Sequence, residues 1–92
     1  MSEPAVQANG IAELVGTHIS EVILGTSRPI DPDQNLLIDG GVDSLGMLKL
    51  VGFLELTYDV KIPPDQFTIE NFRSINVISS YMLARIGDDS NA

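Results

Sequence analysis

Cysteine is absent from this chain of 92 residues, which excludes both a disulfide framework and a metal site built from thiolates. No apolar run approaches the roughly 20 residues that a membrane-spanning helix needs. The first residues, Met-Ser-Glu-Pro, lack the basic region and apolar run of a secretory signal. We therefore expect one cytoplasmic domain that does not associate with membranes.

Positive charge is also scarce, since five Lys and Arg residues stand against 13 Asp and Glu residues. The formal net charge of −8 would repel a nucleic-acid backbone or an anionic membrane surface. We therefore expect no nucleic acid among the partners. Such a chain favours partners with basic docking surfaces, although the need for solubility accounts for the charge equally well.

Residues suited to catalysis or metal binding are few. The only histidine, His18, lies on or beside an apolar helical stripe, where a structural role is usual. The hydrolase pattern Gly-x-Ser-x-Gly fails because Val42 stands two residues before Ser44. A calcium loop counted from Asp31 fails because its sixth and twelfth residues are Leu36 and Val42, not the required glycine and acid. We therefore expect neither enzyme activity nor a metal site.

Apolar residues recur with the period of an α-helix, and no segment of useful length alternates as a strand does. The predicted segments are a first helix from Ile11 to Ile23 stopped by Gly25, a second from Ser44 to about Tyr58, a short helical turn capped by Thr68, and a last helix capped by Ser74. The sequence thus predicts an all-α bundle of three principal helices and one short helix.

A long connection over residues 25–43 separates the first two predicted helices. Loops longer than about 12–15 residues are uncommon in compact domains and are usually functional or disordered. We expect this loop to be pinned to the core by its apolar residues, which are Ile30, Leu36, Leu37 and Ile38.

The most informative residue is Ser44, which follows Asp43 at the end of this loop. Asp43 is a good N-cap residue, so Ser44 falls in the first turn of the second helix. Unpaired backbone N–H groups and the positive end of the helix dipole favour an attached anion at that position. Taken alone, these residues are explained as well by simple capping of a helix.

Residues 41–45, Gly-Val-Asp-Ser-Leu, resemble the Asp-Ser-Leu attachment signature of acyl carrier proteins and their peptidyl and aminoacyl relatives. Residues 62–75 are similar to that family's pattern of Ile-Pro, a short helix, Asn-Phe and a capping serine. The resemblance covers roughly residues 11–86. It implies that Ser44 receives 4'-phosphopantetheine from coenzyme A, that Asp43 orients the attachment turn, and that cargo is held as a thioester.

The resemblance also implies how the chain is divided and which proteins it meets. We expect a carrier domain over residues 10–86 between frayed tails at 1–9 and 87–92. The implied partners are a phosphopantetheinyl transferase, an acyl- or aminoacyl-loading ligase, and downstream transfer enzymes. The carrier itself is expected to be a monomer.

The second predicted helix has apolar residues on two sides. Its inward stripe consists of Met47, Leu50, Val51, Leu54 and Tyr58. A second side begins at Ser44 and consists of Leu45, Leu48, Lys49 and Gly52. Since a helix that is apolar on two sides either packs on both or shows one to a partner, we predict a docking face. A small helical interaction module without a prosthetic group would also explain this face, and it stands as the alternative.

The same helix has few acids, whereas the corresponding helix of fatty-acid carriers is usually rich in them. It contains only Glu55 before Asp59. Positions where acids would be expected hold Gly46, Lys49, Gly52 and Leu56. Residues 71–75, Asn-Phe-Arg-Ser-Ile, are also similar to those of carriers that hold amino acids. We therefore predict an acyl or aminoacyl carrier of a dedicated pathway rather than of general fatty-acid synthesis.

Overall fold

A computed structural model describes the backbone of residues 8–90 and the side chains of residues 10–87. The elements are α1 (Ala8–His18), a π-helical turn (Ile19–Ile23), α2 (Ser44–Tyr58), a 3₁₀ turn (Pro64–Gln66), α3 (Ile69–Phe72) and α4 (Ile75–Ser90). Residues 8–90 contain no strand, so the predicted all-α bundle with a long loop before its second principal helix is confirmed. No helix among these residues is long and apolar enough to cross a membrane.

The predicted tails at 1–9 and 87–92 lie mostly outside the described side chains. At the C-terminal end the backbone of α4 continues as helix to Ser90. The division of the chain into tails and a carrier domain therefore stays a prediction.

The first helical segment ends at the predicted position, but its last turn is π-helical rather than α-helical. Ile11, Val15 and Ile19 are fully buried, as the apolar stripe requires. From Ile19 the helix widens into the π form, and the Leu24 N–H donates to the carbonyl oxygen of Ile19 at 2.8 Å. The wider turn carries Val22 out of the stripe, so its side chain is 65 % exposed, contrary to the 3.6-residue pattern. Gly25 then ends the segment with a φ of 67°.

The long loop is attached to the junction between α3 and α4. Leu36 is fully buried, and its N–H donates to the carbonyl oxygen of Arg73 at 2.8 Å. The prediction that apolar residues pin this loop is correct for Leu36 but wrong for Ile38, which is 78 % exposed. The reason is a local turn, in which Asn35 Oδ1 accepts hydrogen bonds from the N–H groups of Leu37 and Ile38.

Helix α2 has the predicted bounds, and its predicted inward stripe is buried except at Val51 and Tyr58, which are half-buried. Met47, Leu50 and Leu54 are buried. Asp59 ends the helix in the left-handed region with a φ of 54°. The Glu55 carboxylate then accepts a hydrogen bond from the Ile62 N–H at 2.8 Å, which directs the following segment back along the bundle.

The remaining elements close the core around Phe72. Its ring lies 5.3 Å from the ring of Phe67 and 5.2 Å from that of Tyr81. Ser74 caps α4 as predicted, because its Oγ accepts a hydrogen bond from the Val77 N–H at 3.2 Å. Thr68 occupies the N-cap position of α3, but its side chain makes no capping hydrogen bond.

Candidate functional site

Ser44 is the first residue of α2, and its side chain is exposed to solvent. Asp43 precedes it in an extended conformation, with φ −90° and ψ −179°. Asp43 Oδ1 accepts a hydrogen bond from the Gly46 N–H at 2.8 Å, so the predicted N-cap is present. The N–H groups of Ser44 and Leu45 lie in the first turn and have no acceptor within the helix. Such unpaired N–H groups at a helix N-terminus favour a negatively charged group nearby.

Two glycines bring the chain into this position for different reasons. Gly41 adopts a φ of 73°, which side chains other than glycine rarely tolerate. A Cβ on Gly40 would lie 2.8 Å from the Cα of Leu36, so the backbone can pass there only without a side chain. Val42 then buries its side chain and donates its N–H to the Leu36 carbonyl oxygen at 3.1 Å. The loop is thus fixed immediately before the exposed Ser44.

A pocket of about 180 Å³ lies beside Ser44, between the long loop, the start of α2 and the region of α3. Its lining is mainly apolar and consists of Leu37, Ser44, Met47, Phe67, Thr68, Ile69 and Phe72. The sequence analysis did not identify this pocket. Its walls come from three separate segments, and no local spacing connects them.

His18 is not part of this site. Its ring stacks on Phe53 with a centroid distance of 3.8 Å and an interplanar angle of 10°. Partial burial lowers the pKa of His18 because the charged imidazolium loses hydration. No group of three or more His, Asp or Glu side chains placed to hold a metal ion occurs among the described residues.

The predicted docking residues lie on the exposed side of α2. Leu45 is 61 % exposed and Leu48 is 53 % exposed. Lys49 is also exposed, and a Cβ on Gly52 would have open space around it. Leu56, which the sequence analysis did not include in this face, is 87 % exposed.

Gly46 does not belong to that exposed side. The sequence analysis treated it as a position that an acid might fill, but the residue is buried. A Cβ at Gly46 would lie 3.0 Å from Ile23 Cγ2 and 3.3 Å from Asp43 Oδ1. Its glycine is therefore explained by the packing of α2 against the π-helical turn and gives no information about partners.

Comparisons with known proteins identify the family of this chain. Residues 13–82 match the family model described as the phosphopantetheine attachment site. The chain is 33 % identical over 64 residues to aminoacyl carrier protein 2 of Bradyrhizobium diazoefficiens. The aligned region covers 70 % of this chain and 71 % of that protein. No solved structure matches the chain significantly. Because the family match covers more than half of the residues, the chain belongs to the phosphopantetheine-dependent carrier proteins, whose cofactor is 4'-phosphopantetheine.

Proposed function

We propose that Ser44 is the attachment residue and that the chain carries an acyl or aminoacyl group as a thioester on the attached cofactor. The observation that supports this most directly is the position of Ser44. Its hydroxyl is exposed at the first residue of α2, and the residues before it are fixed by Val42 and Asp43. A transferase can therefore reach the hydroxyl without unfolding any part of the core.

The residues around Ser44 fit the group that would be attached. Transfer from coenzyme A forms a bond between Ser44 Oγ and phosphorus and breaks the pyrophosphate bond. The hydroxyl proton leaves Oγ, and adenosine 3',5'-bisphosphate is the leaving group. The new phosphodiester has a negative charge, which the free N–H groups of Ser44 and Leu45 and the helix dipole stabilise. Asp43 contributes by holding the first turn through Gly46, not by binding the phosphate.

The cargo that we propose is short, with an aminoacyl group as the first choice. The pocket beside Ser44 is small, with a volume of about 180 Å³, which suits a short cargo. The similar protein from Bradyrhizobium is named an aminoacyl carrier. Both observations support a dedicated pathway rather than general fatty-acid synthesis.

The partners that we propose are a phosphopantetheinyl transferase, a ligase that loads the cargo, and the enzymes that receive it. They would bind the exposed side of α2 next to the arm, at Leu45, Leu48, Lys49 and Gly52. Attachment of the cargo to a carrier raises its effective concentration at each enzyme without any catalysis by the carrier. The chain therefore presents its cargo as a cytoplasmic monomer, and the chemistry belongs to the partners.

Intact mass after incubation with coenzyme A and a broad-specificity transferase tests the attachment. The wild-type protein should gain one phosphopantetheine group, and Ser44→Ala should gain none. Ser80→Ala, which removes another exposed serine from α4, is the matched control and should be loaded like the wild type. An adduct on Ser44→Ala would show that another residue is the attachment site. An unmodified wild-type protein would instead support the helical interaction module without a prosthetic group.

A further inference from the structure

The exposed side of α2 forms a straight stripe that is longer than the predicted docking face. Leu45, Lys49, Gly52 and Leu56 follow the spacing i, i+4, i+7 and i+11, which places them on one side of a helix. Leu56 is the most exposed large apolar side chain of the described residues, at 87 %. The stripe therefore continues for about three turns from the attachment site.

Gly52 forms a notch in this stripe. Nothing in the fold requires a glycine there, because a Cβ at Gly52 would meet no atom within 4 Å. In the middle of a helix, glycine is destabilising relative to alanine. The exposed side chains of Leu48 and Leu56 stand one turn before and one turn after it. A groove continues from Gly52 past the end of α2 and is lined by Gly52, Glu55, Leu56, Asp59, Val60 and Lys61.

The charge of this surface differs from that of the whole chain. The protein has a net charge of −8, yet Lys49 is the only exposed charged side chain within α2. Lys49 forms no ion pair within the described residues. The half-buried Glu55 carboxylate is held by the Ile62 N–H. A partner with an apolar surface and one acid would complement this stripe, whereas a basic partner would place like charges together.

We infer that a helix of a partner enzyme packs across α2 at Gly52, with an apolar face and an acidic side chain opposite Lys49. The small residue lets the two helix backbones approach, and the flanking leucines pack on either side of the crossing helix. A second copy of this chain fits less well, since the only acid within its α2, Glu55, is half-buried and already accepts a hydrogen bond from the Ile62 N–H. This inference rests on the proposed function and adds the chemistry of the partner.

Two synthetic amphipathic helical peptides test the inference against the phosphopantetheine-loaded protein. Both have the same leucine and alanine face, and one is flanked by glutamates while the other is flanked by lysines. Titration into isotope-labelled protein should shift the amide signals from Leu48 to Lys61 with the glutamate peptide. The lysine peptide should bind about two- to fivefold more weakly, as expected for one exposed ion pair.

Variants locate the contact. Gly52→Leu fills the notch and should reduce binding of the glutamate peptide by at least about fivefold, because overfilling a packed contact is destabilising. Lys49→Glu should reverse the preference between the two peptides. Leu83→Ser, which changes an exposed leucine of α4, is the control and should bind like the wild type.

Several outcomes would overturn the inference. The glutamate peptide could fail to bind saturably, or both peptides could bind with equal affinity. Gly52→Leu could bind the glutamate peptide as tightly as the wild type does, or the shifted amide signals could lie only in other elements. Loading of Ser44 is measured by intact mass in the same samples. A loaded wild-type protein that fails these tests contradicts the helix-docking inference alone, whereas a wild-type protein that is never loaded contradicts the proposed function.

Discussion

Val42 and Asp43 together fix the position of Ser44, whose side chain is exposed to solvent. Val42 has its side chain in the core at 1 % exposure, and Asp43 closes the first turn of α2 through the Gly46 N–H. The sequence was sufficient to predict the cap, because an aspartate before an amphipathic segment is a local signal. The anchoring of Val42 against Leu36 was not predictable in this way, since it depends on the path of the whole loop.

We predict that Asp43→Ala destabilises the protein by about 0.5–2 kcal/mol, the usual cost of losing an N-cap side chain. Ser44→Ala should cost far less, because the Ser44 side chain makes no hydrogen bond within the described structure. Urea unfolding followed by circular dichroism measures both. Asp43→Asn is the control and should remain near the wild type because asparagine also caps helices. Equal stability of Asp43→Ala and the wild type would show that the cap is dispensable.

His18 makes the stability depend on pH. Partial burial beside Phe53 lowers its pKa below the ordinary value of 6.5, so the unfolded chain binds a proton at higher pH than the folded protein does. The free energy of unfolding should therefore be unaffected by His18 above about pH 7.5, where the residue is neutral in both states. It should decrease as the pH falls through 6.5, because the unfolded chain is then protonated first. The loss levels off below the lowered folded-state pKa.

Chemical denaturation between pH 5 and 8 measures this change, with His18→Gln as a variant that does not titrate. The difference in stability between the wild type and His18→Gln should narrow, or move in favour of the variant, as the pH falls. A difference that is independent of pH would contradict the assignment of the effect to His18.

At the scale of the elements, some features of α2 follow from the spacing of its apolar residues, and others depend on how the helix packs in the fold. Its bounds and its buried stripe followed from apolar spacing, because both are properties of a single helix. The different roles of its two glycines did not follow from apolar spacing, because they depend on what each glycine faces in the folded protein. Gly46 lies against Ile23 of the π-helical turn, while Gly52 faces open space.

The two glycines give a matched pair of substitutions within one helix. Gly52→Ala should stabilise the protein by about 0.5–1 kcal/mol through helix propensity alone. Gly46→Ala should lose that gain or become destabilising, because its methyl group would lie 3.0 Å from Ile23 and 3.3 Å from the capping carboxylate of Asp43. Thermal unfolding of both variants compares them directly. A more stable Gly46→Ala than Gly52→Ala would contradict the packing described for the start of α2.

The whole molecule concentrates 13 acidic and five basic residues on a small fold. Repulsion among exposed charges opposes compaction and is screened by salt. We predict that the melting temperature rises gradually with added sodium chloride and that divalent cations act in the same graded way. Thermal unfolding across a salt series, with a calcium titration by calorimetry, measures both. A tight, saturable one-to-one calcium titration would overturn the rejection of a metal site.

The sequence by itself determined the helices, the capped start of α2 and the resemblance to carrier proteins. These features depend on residues that are close together along the chain, so their spacing and chemistry are visible without a structure. The prediction that Val22 belongs to the buried stripe was wrong. The change from the α to the π form alters the angle between successive side chains, and the spacing of apolar residues does not reveal that change.

Only the tertiary structure decided what surrounds Ser44. The pocket beside it joins the loop residue Leu37 to Phe67 and Ile69, which lie far along the chain. The loop wall is fixed by the hydrogen bond that the Leu36 N–H donates to the Arg73 carbonyl oxygen. Such contacts form between segments that have no common periodicity, and the free energy of packing them together is what places them.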